Sequence, residues 1–212
     1  TEQSGVDHLL HEGIQRGRIF LVGNVMIDTM LRHRAKAETS RILEMQGLKP
    51  REYAVLTLHR PANVDDPAIF GRILDALEHI QKDMRIIFPM HPRTRANLAH
   101  SDLGKRIETM PGLRIMEPVG YLDFLKLMTH ARVVLTDSGG VQEETTILQV
   151  PCLTLRDNRE RPATVDSGAN QVVGRDPVKI LTAYRRVMDQ QRLTIRTPPF
   201  WDGRAATAEE MQ

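Results

Sequence analysis

The chain has 212 residues, enough to bury a full core, and its 29 Lys and Arg against 27 Asp and Glu leave a formal net charge of only +2. That balance, with no basic run, argues against nucleic acid or an anionic membrane as partner, and the apolar runs are far too short to span a bilayer. No secretory signal is recognisable, and the single cysteine, Cys152, falls in a strand pattern where a buried reduced thiol is expected, so the expected location is the cytoplasm. The first residue is Thr1 rather than methionine, and the expectation is a piece of a longer polypeptide.

In chain order, Ser4 with Asp7 opens a short amphipathic helix to about residue 13, and residues 18–22 read as a strand ended by Gly23-Asn24. Residues 26–47 carry apolar side chains at helical spacing. This opening part, 1–50, reads as a helical connector with little core of its own, the end of an earlier unit. From Arg51 the rhythm changes: strands over 53–58, 85–88 and 113–116 alternate with helices over 67–80, 94–110 and 122–130. Residues 133–135 make another strand, with Thr136 and Asp137 at its polar end. A helix follows over 141–149, Pro151 stops it, and 152–155 is a further strand. A last short strand over 169–173 precedes Asp176-Pro177, a strong helix start that runs to about residue 190. The alternation predicts an α/β fold over 51–195, a Rossmann-like parallel sheet with helices on both faces. In the tail, 196–212, Pro198-Pro199-Phe200-Trp201 precedes Asp202, which can cap a final helix that either anchors on the domain or crosses to another.

Ligands of such sheets lie outside the carboxyl ends of the strands. The residues just past those ends are His59-Arg60, His91-Pro92-Arg93, Glu117-Pro118, Asp137-Ser138-Gly139-Gly140, and the loop 156–161 with Arg156, Glu160 and Arg161. A strand that enters a helix through Gly-Gly lets main-chain N–H groups face an anion, and a side chain at Gly140 is expected to block that approach. Glu143 and Glu144 lie one turn further in, where a carboxylate can accept hydrogen bonds from sugar hydroxyls. Each feature has a plainer role: a tight turn for Gly-Gly, an N-cap for Asp137 or Ser138, and capping spacing for Gly140 with Glu143. Their coincidence on one turn, beside two His-Arg sets and an Arg-rich loop, favours a site for a diphosphate flanked by sugars. No compact His, Cys or Asp spacing suggests a metal. His8, His11, His33, His79, His100 and His130 fall in helical stretches and read as surface or packing residues, and Glu108, Arg185 and Arg186 as solvated charges.

Five segments in this order carry a family resemblance. They are Thr57-Leu58-His59-Arg60 with Asn63; Pro89-Met90-His91-Pro92 with Arg95; and Thr136-Asp137-Ser138-Gly139-Gly140-Val141-Gln142-Glu143-Glu144. Leu155-Arg156-Asp157 with Glu160-Arg161-Pro162, and the tail Asp202-Gly203-Arg204-Ala205-Ala206, complete the set. Together they span nearly the whole chain, which resembles the C-terminal half of the non-hydrolysing UDP-N-acetylglucosamine 2-epimerases. The resemblance implies a glycosyltransferase-B-type fold, two Rossmann-like domains with the substrate between them, of which this chain is the C-terminal one. It further implies that Ser138, Gly139 and Gly140 hold the diphosphate, that Glu144 takes the ribose hydroxyls, and that His59 helps UDP leave. Arg60 and His91 match positions that also help hold a second, activating UDP-N-acetylglucosamine, and Arg156, Glu160 and Arg161 are candidate contacts to substrate or activator.

The family reaction inverts C2 of the hexose: a base takes the C2 proton while UDP leaves C1, and UDP then adds back with the proton on the other face. The acids for those proton transfers belong to the N-terminal domain in the family, so the expected partners are that domain and a second copy in a homodimer, and the chain alone is expected to be inactive. No metal cofactor is implied. One departure is local: the family commonly reads His-Arg-Arg-Glu-Asn where this chain has His59-Arg60-Pro61-Ala62-Asn63, which removes two polar groups near the activator. Neighbouring readings are a hydrolysing epimerase, an enzyme for a more modified UDP-sugar, a glycosyltransferase of the same fold, or a stand-alone nucleotide-binding module.

Overall fold

The computed structural model describes residues 1–99, 101–190 and 194–209. His100 and the last residues of the expected C-terminal helix, 210–212, lie outside them. The helices are α1 (Gln3–His11), α2 (Val25–Glu38), α3 (Ile42–Met45), α4 (Pro61–Val64), α5 (Pro67–Asp83), α6 (Pro92–Leu98) and α7 (Asp102–Glu108). After them come α8 (Tyr121–His130), α9 (Gly139–Leu148), α10 (Pro162–Asp166), α11 (Pro177–Asp189) and α12 (Ala205–Glu209). The strands are β1 (Tyr53–Thr57), β2 (Arg85–Pro89), β3 (Leu113–Met116), β4 (Val133–Thr136), β5 (Cys152–Thr154) and β6 (Asn170–Val172). They form one sheet in the order β3-β2-β1-β4-β5-β6, with every pairing parallel.

Both faces of that sheet are covered, which explains why the strands read as continuous apolar runs rather than alternating ones. Successive side chains of a strand point to opposite faces. Ala54 and Leu56 of β1, Ile86 and Phe88 of β2, and Val133 and Leu135 of β4 pack into one core, against Phe70, Leu74 and Leu77 of α5 and Ile180 and Tyr184 of α11. Tyr53, Val55, Ile87 and Val134 point the other way, toward Leu125 and Met128 of α8 and Leu148 of α9. The Tyr53 hydroxyl donates to the Leu127 carbonyl at 2.7 Å, so this large ring is buried with its polar end satisfied. Cys152 is buried and unbridged, and burial pushes its thiol up to about 12.

Three expectations need correction. Residues 1–50 contribute Met30, Ala37, Ile42 and Leu48 to the second core, so α2 and α3 are part of the layer that covers the sheet. The segment read as a strand over 18–22 is none: a 3-10 turn over Arg16–Arg18 hands the chain to an irregular stretch. The single helix expected over 94–110 is two, because Ser101 caps α7 through its side chain and the chain doubles back there; a Cβ on Gly104 would stand 2.3 Å from the Leu98 carbonyl oxygen.

The sheet order reverses between β1 and β4, and an open α/β sheet forms its ligand crevice at that point, beyond the strands' carboxyl ends. The tail returns to α2: the Ala206 amide donates to Asp28 Oδ2 at 2.8 Å, and the Trp201 indole donates to the Thr1 carbonyl at 3.0 Å. No described helix is long and apolar enough to cross a membrane.

Candidate functional site

β1 and β4 end side by side, with Thr57 Oγ1 and Thr136 Oγ1 2.7 Å apart, and Thr136 Oγ1 also accepts from the Ser138 amide at 3.0 Å. Asp137 follows, fully buried. Its carboxylate accepts from the His59 amide at 3.1 Å, the Arg60 amide at 2.9 Å and Asn63 Nδ2 at 3.1 Å, and lies 3.0 Å from His59 Nδ1. Burial by itself would raise this carboxyl, but the His59 ring and the Arg60 and His59 amides outweigh it and hold Asp137 below its ordinary value. A ring nitrogen facing a carboxylate carries the proton, which leaves His59 Nε2 as the nitrogen available to a ligand. His59 is 40% exposed at its side chain and lines a cavity of 220 Å³ with His91, Pro118, Phe124, Ser138 and Val141. The His59 and His91 rings are 5.9 Å apart, and His91 Nδ1 accepts from the Arg93 amide at 3.2 Å as the cap of α6.

The opposite wall of the crevice is the start of α9. Ser138 holds the N-cap position in extended conformation, yet its side chain takes no bond from the helix. No side chain among the described residues caps α9, and a helix start in that condition presents N–H groups and the positive end of its dipole to an anion. A Cβ on Gly139 would stand 3.1 Å from Glu160 Oε1 and 3.6 Å from Arg161 Nε, whereas one on Gly140 would meet only the Met26 methyl, at 2.9 Å. Gly140 therefore faces α2, and the residue whose bare Cα faces the arginine loop is Gly139. The helix begins at Gly139 rather than Val141, so the glycine that faces the arginine loop is the one before Gly140, to which the sequence pointed.

Three guanidiniums gather here. Arg60 lies 3.2 Å from Glu160, Arg156 also pairs with Glu160, and Arg161 lies 2.9 Å from Glu143 and 3.8 Å from Glu160. Partial burial and the nearby Arg60 push the Arg156 pKa down, with Arg161 and Arg175 adding to it against the opposing pull of Asp137; an arginine stays charged regardless. Three cations thus stand around two carboxylates at a helix start, with Asp137 near enough to act on Arg156. Glu144 is 6% exposed, and burial raises its carboxyl even though the Tyr121 hydroxyl donates to it at 2.8 Å. Among the described residues no group of three or more His, Cys, Asp or Glu could hold a metal ion.

All ten residues singled out from the sequence thus lie around the carboxyl edge of the sheet, His59, His91 and Ser138 on the cavity and Arg60, Arg156, Glu160 and Arg161 beside the α9 start. Sequence reasoning named Asp137 for its place after the strand and as a cap, quoted Asn63 only within the family motif, and passed over Arg175, Phe124 and Tyr121. Arg175 Nε donates to Asn63 Oδ1 at 2.7 Å, so Asn63 is clamped between Arg175 and Asp137. Position after a strand end could have flagged Arg175; nothing local points to Phe124 or Tyr121.

A family model described as UDP-N-acetylglucosamine 2-epimerase matches residues 1–208. The UDP-N-acetylglucosamine 2-epimerase of Methanocaldococcus jannaschii is 42% identical over 191 residues, 88% of this chain and 52% of its own length. The UDP-2,3-diacetamido-2,3-dideoxy-D-glucuronate 2-epimerase of Pseudomonas aeruginosa is 40% identical over 173 residues, 80% of this chain and 46% of its own. The crystal structure of the M. jannaschii UDP-GlcNAc 2-epimerase in complex with UDP-GlcNAc and UDP matches with a TM-score of 0.85 at 37% identity, over 97% of this chain and 58% of that one. The chain spans about half the length of the curated relatives it matches.

Proposed function

This chain belongs to the UDP-N-acetylglucosamine 2-epimerase family, and from that premise we propose that it supplies the UDP-binding side of an enzyme that interconverts UDP-GlcNAc and UDP-ManNAc. The observation that carries the reading is the uncapped start of α9, set at the reversal of strand order and faced by His59, Arg60, Arg156 and Arg161. Amides of that helix start and the guanidiniums hold the pyrophosphate. Phe124 and Val141 offer the base an apolar wall, and Glu144 accepts from the ribose hydroxyls.

In the reaction the C1–O bond to UDP breaks as the C2 proton departs, and negative charge collects on the leaving diphosphate. With its Nδ1 anchored on Asp137, His59 in its imidazolium form presents an Nε2–H that can donate to that oxygen, and the helix start and arginines stabilise the charge. The C2 base comes from outside this chain, because the carboxylates present are committed: Asp137 to His59, Glu143 to Arg161, Glu160 to the arginines and Glu144 to Tyr121. The chain accordingly works with a second domain that closes over the crevice, as a homodimer in the cytoplasm, without a metal, and with UDP-GlcNAc as activator through Arg60 and His91. A second reading gives the hexose further substituents; Pro61-Ala62 beside Arg60 and the 40% identity to the P. aeruginosa epimerase favour it.

Calorimetry on this chain is expected to show UDP binding about tenfold or more tighter than uridine, since the pyrophosphate makes the charge-assisted contacts. Equal affinities overturn the site. Joined to the part of the M. jannaschii enzyme that it does not match, the chain is expected to form UDP-ManNAc from UDP-GlcNAc with no acceptor present, which a glycosyltransferase would not do.

A further inference from the structure

Resting on the reading that Glu144 accepts from ribose, we propose that Tyr121 is the positioning residue that fixes this carboxylate for a vicinal diol, and so makes the site select ribonucleotides over deoxynucleotides. The Tyr121 hydroxyl donates to Glu144 Oε1 at 2.8 Å, while Glu144 Oε2 accepts from no described residue and is not sealed from solvent. Tyr121 is 41% exposed and could satisfy its hydroxyl with water, whereas Glu144 is 6% exposed, so the carboxylate is the group that gains from the bond. With one oxygen pinned, the other keeps a fixed direction instead of sweeping through rotamers, and a diol meets an acceptor already in place.

The surrounding helices put this pair at the right place. Tyr121 and Phe124 are three residues apart on α8, and Val141 and Glu144 three apart on α9, so each couple shares a face. Phe124 and Val141 line the cavity at the crevice, and Tyr121 and Glu144 each lie three residues, ~4.5 Å of helix rise, from them on their own helices. A third helix braces the tyrosine: the His33 ring of α2 meets it edge-on with centroids 5.9 Å apart, and His33 is itself held by an Nδ1 contact of 2.8 Å to the Thr29 carbonyl.

The test is calorimetry of UDP and 2′,3′-dideoxy-UDP on the unaltered chain and on Tyr121→Phe, with a thermal melt to check folding. The unaltered chain is expected to prefer UDP; in Tyr121→Phe, UDP binding should weaken about five- to tenfold and dideoxy-UDP binding by less than about twofold, the differential loss of one aimed acceptor. A purely structural tyrosine would weaken both ligands by the same factor, and that result, or an unchanged UDP affinity, overturns the proposal. If the unaltered chain binds UDP but does not distinguish it from the dideoxy ligand, Glu144 is not the ribose acceptor and that part of the functional reading falls too. If the unaltered chain distinguishes them and the variant does so equally well, only the role of Tyr121 falls.

Discussion

Asp66, Asp176 and Asp137 each stand just before a helix, and the molecule spends them differently. Asp66 caps α5 by accepting from the Ala68 and Ile69 amides at 2.8 and 3.4 Å, and Asp176 caps α11 by accepting from Val178 and Lys179 at 2.8 and 3.2 Å. Each is followed by a proline that needs no hydrogen bond at the first helical position. Asp137, one residue before α9's N-cap, turns instead to the loop after β1 and receives two amides, the Asn63 side chain and the His59 ring. Two aspartates thus stabilise their own helix, and the third leaves its helix open while fixing a histidine across the crevice. A filled cap is a stability device; an open one beside Gly-Gly and arginines is a place for an anion.

The largest effect is expected from removing the aspartate that serves the neighbouring loop. Asp137→Ala strands the His59 and Arg60 amides and the Asn63 amide group in a buried setting, and should cost about 3 kcal/mol or more of stability. UDP binding should fall with it, as His59 loses its anchor. Chemical denaturation checks the first and calorimetry the second; a loss under about 1 kcal/mol would mean water replaces the carboxylate without penalty. The same residue sets an acid limit. Because Asp137 is held below its unfolded value near 3.8, its contribution is complete above that pH and fades as pH falls through the lower folded-state value. In Asp137→Asn that part of the acid-side decline in the denaturation midpoint should disappear.

The comparison can be inverted by giving α9 the cap it lacks. In Ser138→Asp a carboxylate can accept from the first-turn amides and oppose the helix dipole, which should raise stability by about 0.5–1 kcal/mol. The same carboxylate occupies the anion site and repels diphosphate, so UDP affinity should drop about tenfold or more. Stability up and binding down, in one variant, is the outcome that the contrast demands. A variant that binds UDP as well as the parent would show that the α9 start does not hold the phosphates.

Much of this arrangement was readable from the residues, because the apolar runs of β1, β2 and β4 are buried on both faces and the glycines after β4 mark a close approach. Parallel order also brought the strand ends, and hence His59, His91 and Asp137, to one edge. What could not be read depended on contacts between distant residues. Asp137 before Ser138 looks like a cap in any sequence, and only the β1 loop, nearly eighty positions away, reveals that it is not. Residues 18–22 have strand composition but no neighbouring strand to pair with. The break after α6 hangs on Ser101 and on the tight approach of Gly104 to Leu98, and the placement of α2 on the sheet on the depth of Met30 and Ile42. Tyr121 and Glu144 are 23 residues apart on separate helices, so no spacing rule joins them.

The smallest effect should come from the ordinary cap, and it completes the contrast. Asp176→Ala leaves the Val178 and Lys179 amides to water at an exposed helix start, with Pro177 still in place to set the first turn. Such a loss costs about 1 kcal/mol, which for a chain of this size lowers the melting temperature by roughly 2–4 °C. Most of α11's hold on the sheet persists, because Ile180, Tyr184 and Val187 remain buried in the first core. UDP affinity should stay within about twofold of the parent, since Asp176 belongs to another helix and makes none of the contacts assigned to the ligand. Were UDP binding to weaken here as much as in Ser138→Asp, the two helix starts would be coupled through the sheet edge, and the division between an aspartate kept for stability and one given over to the site would not hold.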